Sequence, residues 1–295
     1  MTEPAPRPGA ISMPLAIVTI VVLLMAIVFD CLVPATANAA VDDEAHPALT
    51  QEQRTLLDLL GPGVVGEPVE LPDIGHVRHW YPLEAQRGMY QNASGSAKGQ
   101  VREVSLRWVK RDPKQPGAAG TGAWRLHSHG SNIKYLTEIK GHLRLPTEID
   151  LQHGVMTVFD PPEPILLADV MEGESRVIDL QVSVYDLHNP KQLKYTGSVQ
   201  ETYTDLGAYM VHIPRGTYPA RLISVRTEGK VGPADIQTED LAFYARGVGR
   251  IAYIERKHIS AFLLYNKTTQ VGMVLSGSPE VTTKTPADEA PPAAP

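Results

Sequence analysis

Alternation of apolar and polar side chains with a period of two runs through most of this chain and commits it to antiparallel sheet. Val104, Leu106 and Trp108 alternate with Glu103, Ser105 and Arg107, and Ile178, Leu180, Val182 and Val184 alternate with Asp179, Gln181, Ser183 and Tyr185. Successive side chains of a strand point to opposite faces, so each run reads as a strand with one buried and one wet face. Tyr209-Val211-Ile213, Ile251-Tyr253 and Val271-Met273-Leu275 repeat the pattern, and strand-like runs lie around His76 to Tyr81, Trp124 to His127, Ile133 to Ile139, Met156 to Phe159, Gln192 to Tyr203, Leu222 to Val225 and Phe262 to Tyr265. No long helical pattern intervenes between these roughly dozen segments, which points to antiparallel β structure.

Turn chemistry separates the runs. Asp112 to Gly117, Asp160-Pro161-Pro162, Glu172-Gly173, His188-Asn189-Pro190, Pro214-Arg215-Gly216 and Glu228-Gly229-Lys230 all fall between β-like stretches. A flat sheet of this many strands would leave long unpaired edges, so the sheet must curve or close. The expected fold is mainly β: a curved antiparallel sheet or a partly open β-barrel or sandwich, with one N-terminal membrane or signal helix and a short amphipathic helix.

The helix expected to meet the membrane is the apolar run from Met13 to Phe29, which Asp30 interrupts and Cys31, Leu32 and Val33 resume. About twenty apolar residues span a hydrocarbon core, so residues 13–33 suit a single anchor. Pro34 and the small residues Ala37 and Ala39 behind it suit a signal-peptidase site, with release after Ala39. Both readings export everything after residue 40, to the periplasm or another extracytoplasmic space. Cys31 follows Phe29-Asp30 in place of the small residues that lipidation requires, and as the one cysteine of 295 residues it excludes an internal disulfide.

The division expected is therefore 1–40 signal peptide or anchor, 41–74 linker with a short helix, 75–276 β-rich exported domain and 277–295 disordered tail. The short helix is signalled by Thr50-Gln51-Glu52-Gln53, a capping box ahead of Leu56, Leu57, Leu59 and Leu60, with Gly61 placed to end it. The tail has no apolar periodicity.

A net charge of −6 gives no basic footprint, so no nucleic-acid partner is expected. The sequence contains no G-x-S-x-G, phosphate-binding loop, G-x-G-x-x-G or H-E-x-x-H pattern. His127 and His129, two apart, would share one face of a strand and could chelate one ion, while His76 and His79, three apart, suit a helical face. Glu239-Asp240 reads as a solvated pair approaching a strand. Asn92-Ala93-Ser94 and Asn266-Lys267-Thr268 fit the glycosylation sequon. No catalytic, cofactor-binding or metal residue is assigned, and no cofactor is expected.

Gly216-Thr217-Tyr218-Pro219-Ala220-Arg221, followed by Glu239 to Tyr253 with its Phe243-Tyr244-Ala245-Arg246-Gly247-Val248-Gly249-Arg250-Ile251 corner, resembles the ending of bacterial envelope β-proteins of families of unknown function. Those proteins are similar in shape to the half-barrels of lipoprotein carriers such as LolA and LolB. Arg246 stands where their pattern has Pro, and Ile251 where it has Val. The resemblance covers about 60 residues at the end of the domain and implies a curved sheet whose concave face could hold a lipid, an acyl chain or a peptide.

The expected function is a non-enzymatic exported envelope protein binding a hydrophobic ligand or a protein partner on a β-sheet surface, the possible partners being a lipid or an envelope protein. An exported metal-dependent hydrolase using His127 and His129, and a structural or assembly protein of the envelope, are the alternatives.

Overall fold

In the computed structural model the described residues are 49–95, 97–118, 120–128, 130–261, 265–277 and 280–281. The expected leader and nearly all of the tail lie outside them. Among the described residues, no helix is long and apolar enough to cross a membrane.

Twelve antiparallel strands close into a barrel: β2 (Gln86–Asn92), β3 (Val101–Lys110), β4 (Gly122–Ser128), β5 (Asn132–Ile139), β6 (His142–Asp150), β7 (Val155–Leu166), β8 (Ser175–Asp186), β9 (Leu193–Ile213), β10 (Gly216–Val231), β11 (Ala234–Ala245), β12 (Gly249–Ala261) and β13 (Tyr265–Leu275). Each pairs with the next, and β13 returns to β2 through Met273↔Asn92 and Leu275↔Tyr90. The expected curved antiparallel sheet thus closes fully into a barrel, which removes the edges that a sheet this wide would expose. Outside the ring, β1 (Val65–Pro68) pairs with the far end of β9, and β14 (Glu280–Val281) pairs with β2. The expected disordered tail thus contributes at least one short strand.

Several local expectations are corrected. His76 to Tyr81 is no strand but contains a single helical turn, α2 (Val77–Trp80), whose Trp80 Nε1 donates to the carbonyl of Ile74 at 3.0 Å. Asp160-Pro161-Pro162 lies inside β7, where the β6–β7 register shifts, and the Asp160–Pro161 peptide is cis. Glu228-Gly229-Lys230 lies inside β10. The glycines there serve close approach between strands: a Cβ on Gly197 of β9 would sit 1.9 Å from the Lys230 carbonyl oxygen of β10. The Gly247 and Gly249 corner is the tight β11–β12 connection, with φ of 75° and 97°, backbone angles open to glycine.

The segment before the barrel, from residue 49, runs along the wall as a strap. Helix α1 (Gln51–Leu57) starts on the expected capping box, with Gln53 N donating to Thr50 Oγ1 at 3.1 Å and Thr50 N donating to Gln53 Oε1 at 3.0 Å. A 3-10 turn, Asp58–Leu60, follows. Leu56, Leu57 and Leu60 pack on outer-wall residues that include Leu222, Leu241, Phe243 and Ile254, and all seven are buried. Each such leucine contributes about 2 kcal/mol of burial. The strap then turns over one mouth of the barrel, where Ile74, Val77 and Trp80 join Leu106, Leu136, Leu143, Leu145, Leu166 and Tyr203 in a second core inside the wall.

Arg221 pins the strap to the barrel. Its side chain is fully buried; Nε donates to Asp205 Oδ2 at 2.8 Å and Nη1 to the carbonyls of Leu71 and Pro72, each at 3.1 Å. Gly247 N also donates to the carbonyl of His79 at 2.7 Å, fixing α2 against the β11–β12 corner.

Candidate functional site

Cross-strand register assigns the faces of the wall. On the inner face, Ile223 stands opposite Ala242, Val225 opposite Asp240, and Asp240 opposite Glu255. Thr227 stands opposite Glu201, Leu126 opposite Lys134, Lys134 opposite Glu148, and Leu145 opposite Glu163. The inner face therefore carries five carboxylates from five strands (Glu148, Glu163, Glu201, Asp240 and Glu255), with Lys134 among them and Lys257 of β12 beside Asp240.

This charged section lies between two apolar fillings. Along β9, Glu201 sits between Val199, which packs with Leu180, Val182 and Val231, and Tyr203, which belongs to the core beneath α2. Along β11, Asp240 sits likewise between Ile236 and Tyr244. Water reaches part of the section: Lys134 and Glu148, 3.7 Å apart, keep 24% and 27% of their side-chain surface, whereas Glu201 is buried. An eight-stranded barrel has an interior that side chains just fill, and a twelve-stranded one is wider.

Electrostatics follow from placing like charges within one wall. Burial first, and then Glu201, raises Glu163 well above the usual carboxylate range. Burial first, and then Glu255, does the same to Asp240. Glu201, 2% exposed, is pushed up to about 8 by burial, opposed by the hydrogen bond it accepts from Thr227 Oγ1 at 3.3 Å. Lys134 is raised by Glu148 first, with Glu163, Glu255 and Asp240 adding to it. Among the described residues, two buried acceptors of this section have no hydrogen-bond partner, Glu201 Oε2 and Asp240 Oδ1. Each such atom costs on the order of 1–3 kcal/mol unless something donates to it.

Glu239-Asp240 is thus not a solvated pair ahead of a strand. Both residues lie within β11 on opposite faces: Asp240 points inward, and Glu239, 5% exposed, accepts from Arg256 Nη2 at 2.9 Å on the outer wall. Arg256 also pairs with Glu52 of α1. These groups line a polar outer groove of about 300 Å³ together with Arg226, Gln237 and His258. A pocket of about 40 Å³ near Tyr90, Leu106 and Arg250 has room for little more than water.

The histidines expected to chelate do not form a testable pair. His127 sits in β4 opposite Ser105 and Ile133, on the face away from Leu126, and His129 lies outside the described residues. Among the described residues, no three His, Cys, Asp or Glu side chains converge on one ion. His76 and His79 face each other edge to face at 5.4 Å across the turn of α2. Asn92 is 1% exposed, which closes its sequon to a glycan in the folded chain, whereas Asn266 is exposed.

No protein-family model matches the chain, and no curated protein sequence does. Among solved structures it is similar to the hypothetical lipoprotein YmcC from Escherichia coli K12, at 10% identity, covering 78% of this chain and 97% of that one with a TM-score of 0.36. It is also similar to a candidate lipoprotein from Parabacteroides distasonis, at 12% identity, covering 67% of this chain and 97% of that one with a TM-score of 0.31.

Proposed function

We propose that the chain is an exported envelope protein that binds a small polar ligand at the charged section of its barrel and carries out no reaction on it. Export is supported by the apolar run at residues 13–33 and the Ala37-x-Ala39 pattern behind it. A binding role without catalysis is supported by the absence of the common catalytic motifs from the sequence. The observation that carries the reading is the buried Glu201 carboxylate, one oxygen unpartnered, in an inward-facing charged section whose Lys134 and Glu148 keep 24% and 27% of their side-chain surface.

A lipid fits this interior less well than a polar ligand. The apolar levels of the barrel are occupied by its own side chains, including Leu143, Leu145, Leu166 and Leu180, each with no exposed surface. An acyl chain would have to displace them, at a cost of about 0.8 kcal/mol for each methylene driven out into water.

Native mass spectrometry of the full chain, released from mild detergent, tests the reading. The expected result is a retained small polar molecule, present in the wild type and lost from Glu201→Gln. A retained phospholipid would instead support the hydrophobic carrier, and a chain whose only adduct is a protein would support the assembly role.

A further inference from the structure

We infer that the pocket beside Arg250 is a binding site for a small inorganic anion of the size of chloride. It lies inside the barrel beneath the β11–β12 corner and is separate from the Glu201 section.

Strand register builds the site. Arg250 is the second residue of β12 and stands opposite Tyr244 of β11, where that pairing shifts by a bulge. Its guanidinium lies over the Tyr253 ring, 4.1 Å from the centroid. Tyr90 of β2 reaches the same place, its hydroxyl donating to the Arg250 carbonyl at 2.5 Å. Arg250, Tyr81, Tyr90 and Gln86 are the polar members of the lining of the 40 Å³ pocket, and Leu106 and Leu275 are among its apolar members.

The chain sets no negative charge against this cation. Among the described residues Arg250 forms no ion pair, and its Nε has no hydrogen-bond partner. Asp240 lies four residues before Tyr244 and Glu255 five after Arg250, so at 3.3 Å per residue both are about 13 Å or more away along their strands. The phenols do not replace a carboxylate: burial raises Tyr81, Tyr90, Tyr244 and Tyr253, with Arg250 first in opposing the shift, and all four stay neutral at physiological pH. The other charge acting on Tyr90 is Arg215, also positive, and Arg102 stands opposite Tyr90 in register. A guanidinium held out of bulk water without a counter-charge is costly, so an anion that reaches it is retained.

Hydrogen bonding and size narrow the ligand. Arginine has five donors and no acceptor, which excludes metal ions and amines as its partner. The Tyr81 hydroxyl, which has no partner among the described residues, is a second donor on the same lining. A space of about 40 Å³ holds about three waters, which suits a halide and is too small for sulfate or an acyl chain.

The test uses the full chain in detergent with chloride as probe, read by chloride NMR line broadening and by thermal melting in sodium chloride against sodium gluconate of equal ionic strength. The expected result is saturable broadening, together with a melting temperature about 3 °C higher once chloride reaches about ten times its half-saturating concentration. Bromide should compete and sulfate should not. Arg250→Gln should lose both the broadening and the chloride-dependent shift. Where that variant does not fold, anomalous scattering from bromide in crystals of the wild-type chain decides: a peak against the Arg250 guanidinium supports the site, and peaks only elsewhere overturn it. Absence of broadening, a chloride response kept in Arg250→Gln, or equal competition by sulfate would each overturn the inference.

Discussion

Replacing Arg221 with Met isolates the contact that joins strap to barrel. Methionine keeps most of the aliphatic volume of arginine but removes every donor. Asp205, fully buried, would then retain only the Gly207 N–H at 3.0 Å, and the carbonyls of Leu71 and Pro72 would lose the donor that each has at 3.1 Å. Breaking a buried ion pair from one side costs about 3–5 kcal/mol, because the surviving charge stays desolvated. Out of a typical stability of about 5–15 kcal/mol that is a third or more. Urea unfolding at pH 8, followed by the fluorescence of Trp80, Trp108 and Trp124, should show a lower midpoint by an amount corresponding to about 4 kcal/mol. Burial already raises the Asp205 carboxyl, with Arg221 opposing it, so removing Arg221 leaves an acid that takes a proton more readily. The deficit should therefore shrink toward pH 4, where a neutral carboxyl is cheaper to bury. Adding Asp205→Leu to Arg221→Met should recover much of the loss, since no buried charge then remains. A single variant within about 1 kcal/mol of the wild type, or a double variant no better than the single one, would refute this account of the strap.

Glu201→Gln should flatten the dependence of stability on pH. The folded pKa of Glu201 is raised from 4.5 to about 8, so the folded state holds the proton more tightly than the unfolded one, and wild-type stability is full below about pH 4.5 and falls as pH rises toward 8. The slope that the variant removes is up to about 1.4 kcal/mol per pH unit, read from urea midpoints across that range. Leu57→Ala should cost about 2–4 kcal/mol in the same assay and should increase protease cleavage between residues 49 and 75. Gly197→Ala should destabilise by more than about 2 kcal/mol or lower the yield of folded protein, because its Cβ would meet the Lys230 carbonyl at 1.9 Å. Thr50→Val, which removes the capping hydroxyl at the exposed start of α1, should cost only about 1 kcal/mol by the same measurement.

The elements were legible where local physics decides them. Period-two runs located most of the strands, and the Thr50 box with Gly61 located α1 to within a residue or two, because caps and pleats are short-range. Expectations failed where the partner is distant in sequence. His76 to Tyr81 has β-like composition, yet forms a helical turn because Trp80 and Val77 have a barrel mouth to fill. Glu228-Gly229-Lys230 has turn composition, yet continues β10 because Gly229 lets β9 approach closely.

The charged section illustrates the same division more sharply. Its carboxylates lie on β6, β7, β9, β11 and β12, between residues 148 and 255, and only closure of the ring brings them together. A trace was nevertheless present in the alternation. Val199, Glu201, Tyr203 and Asp205 occupy one face of β9, and Lys134 shares a face with Leu136 on β5, so charges stand at positions whose neighbours are apolar. A charge on the dry face of a strand is costly, and it persists only where a partner or water reaches it. At Asp205 the partner is Arg221, and the pair has a structural use in holding the strap. At Glu201 one oxygen has Thr227 and the other has no donor among the described residues. Two inward-facing acids four residues apart on the same strand thus differ in whether the chain itself satisfies them, and that difference separates a structural charge from a binding one.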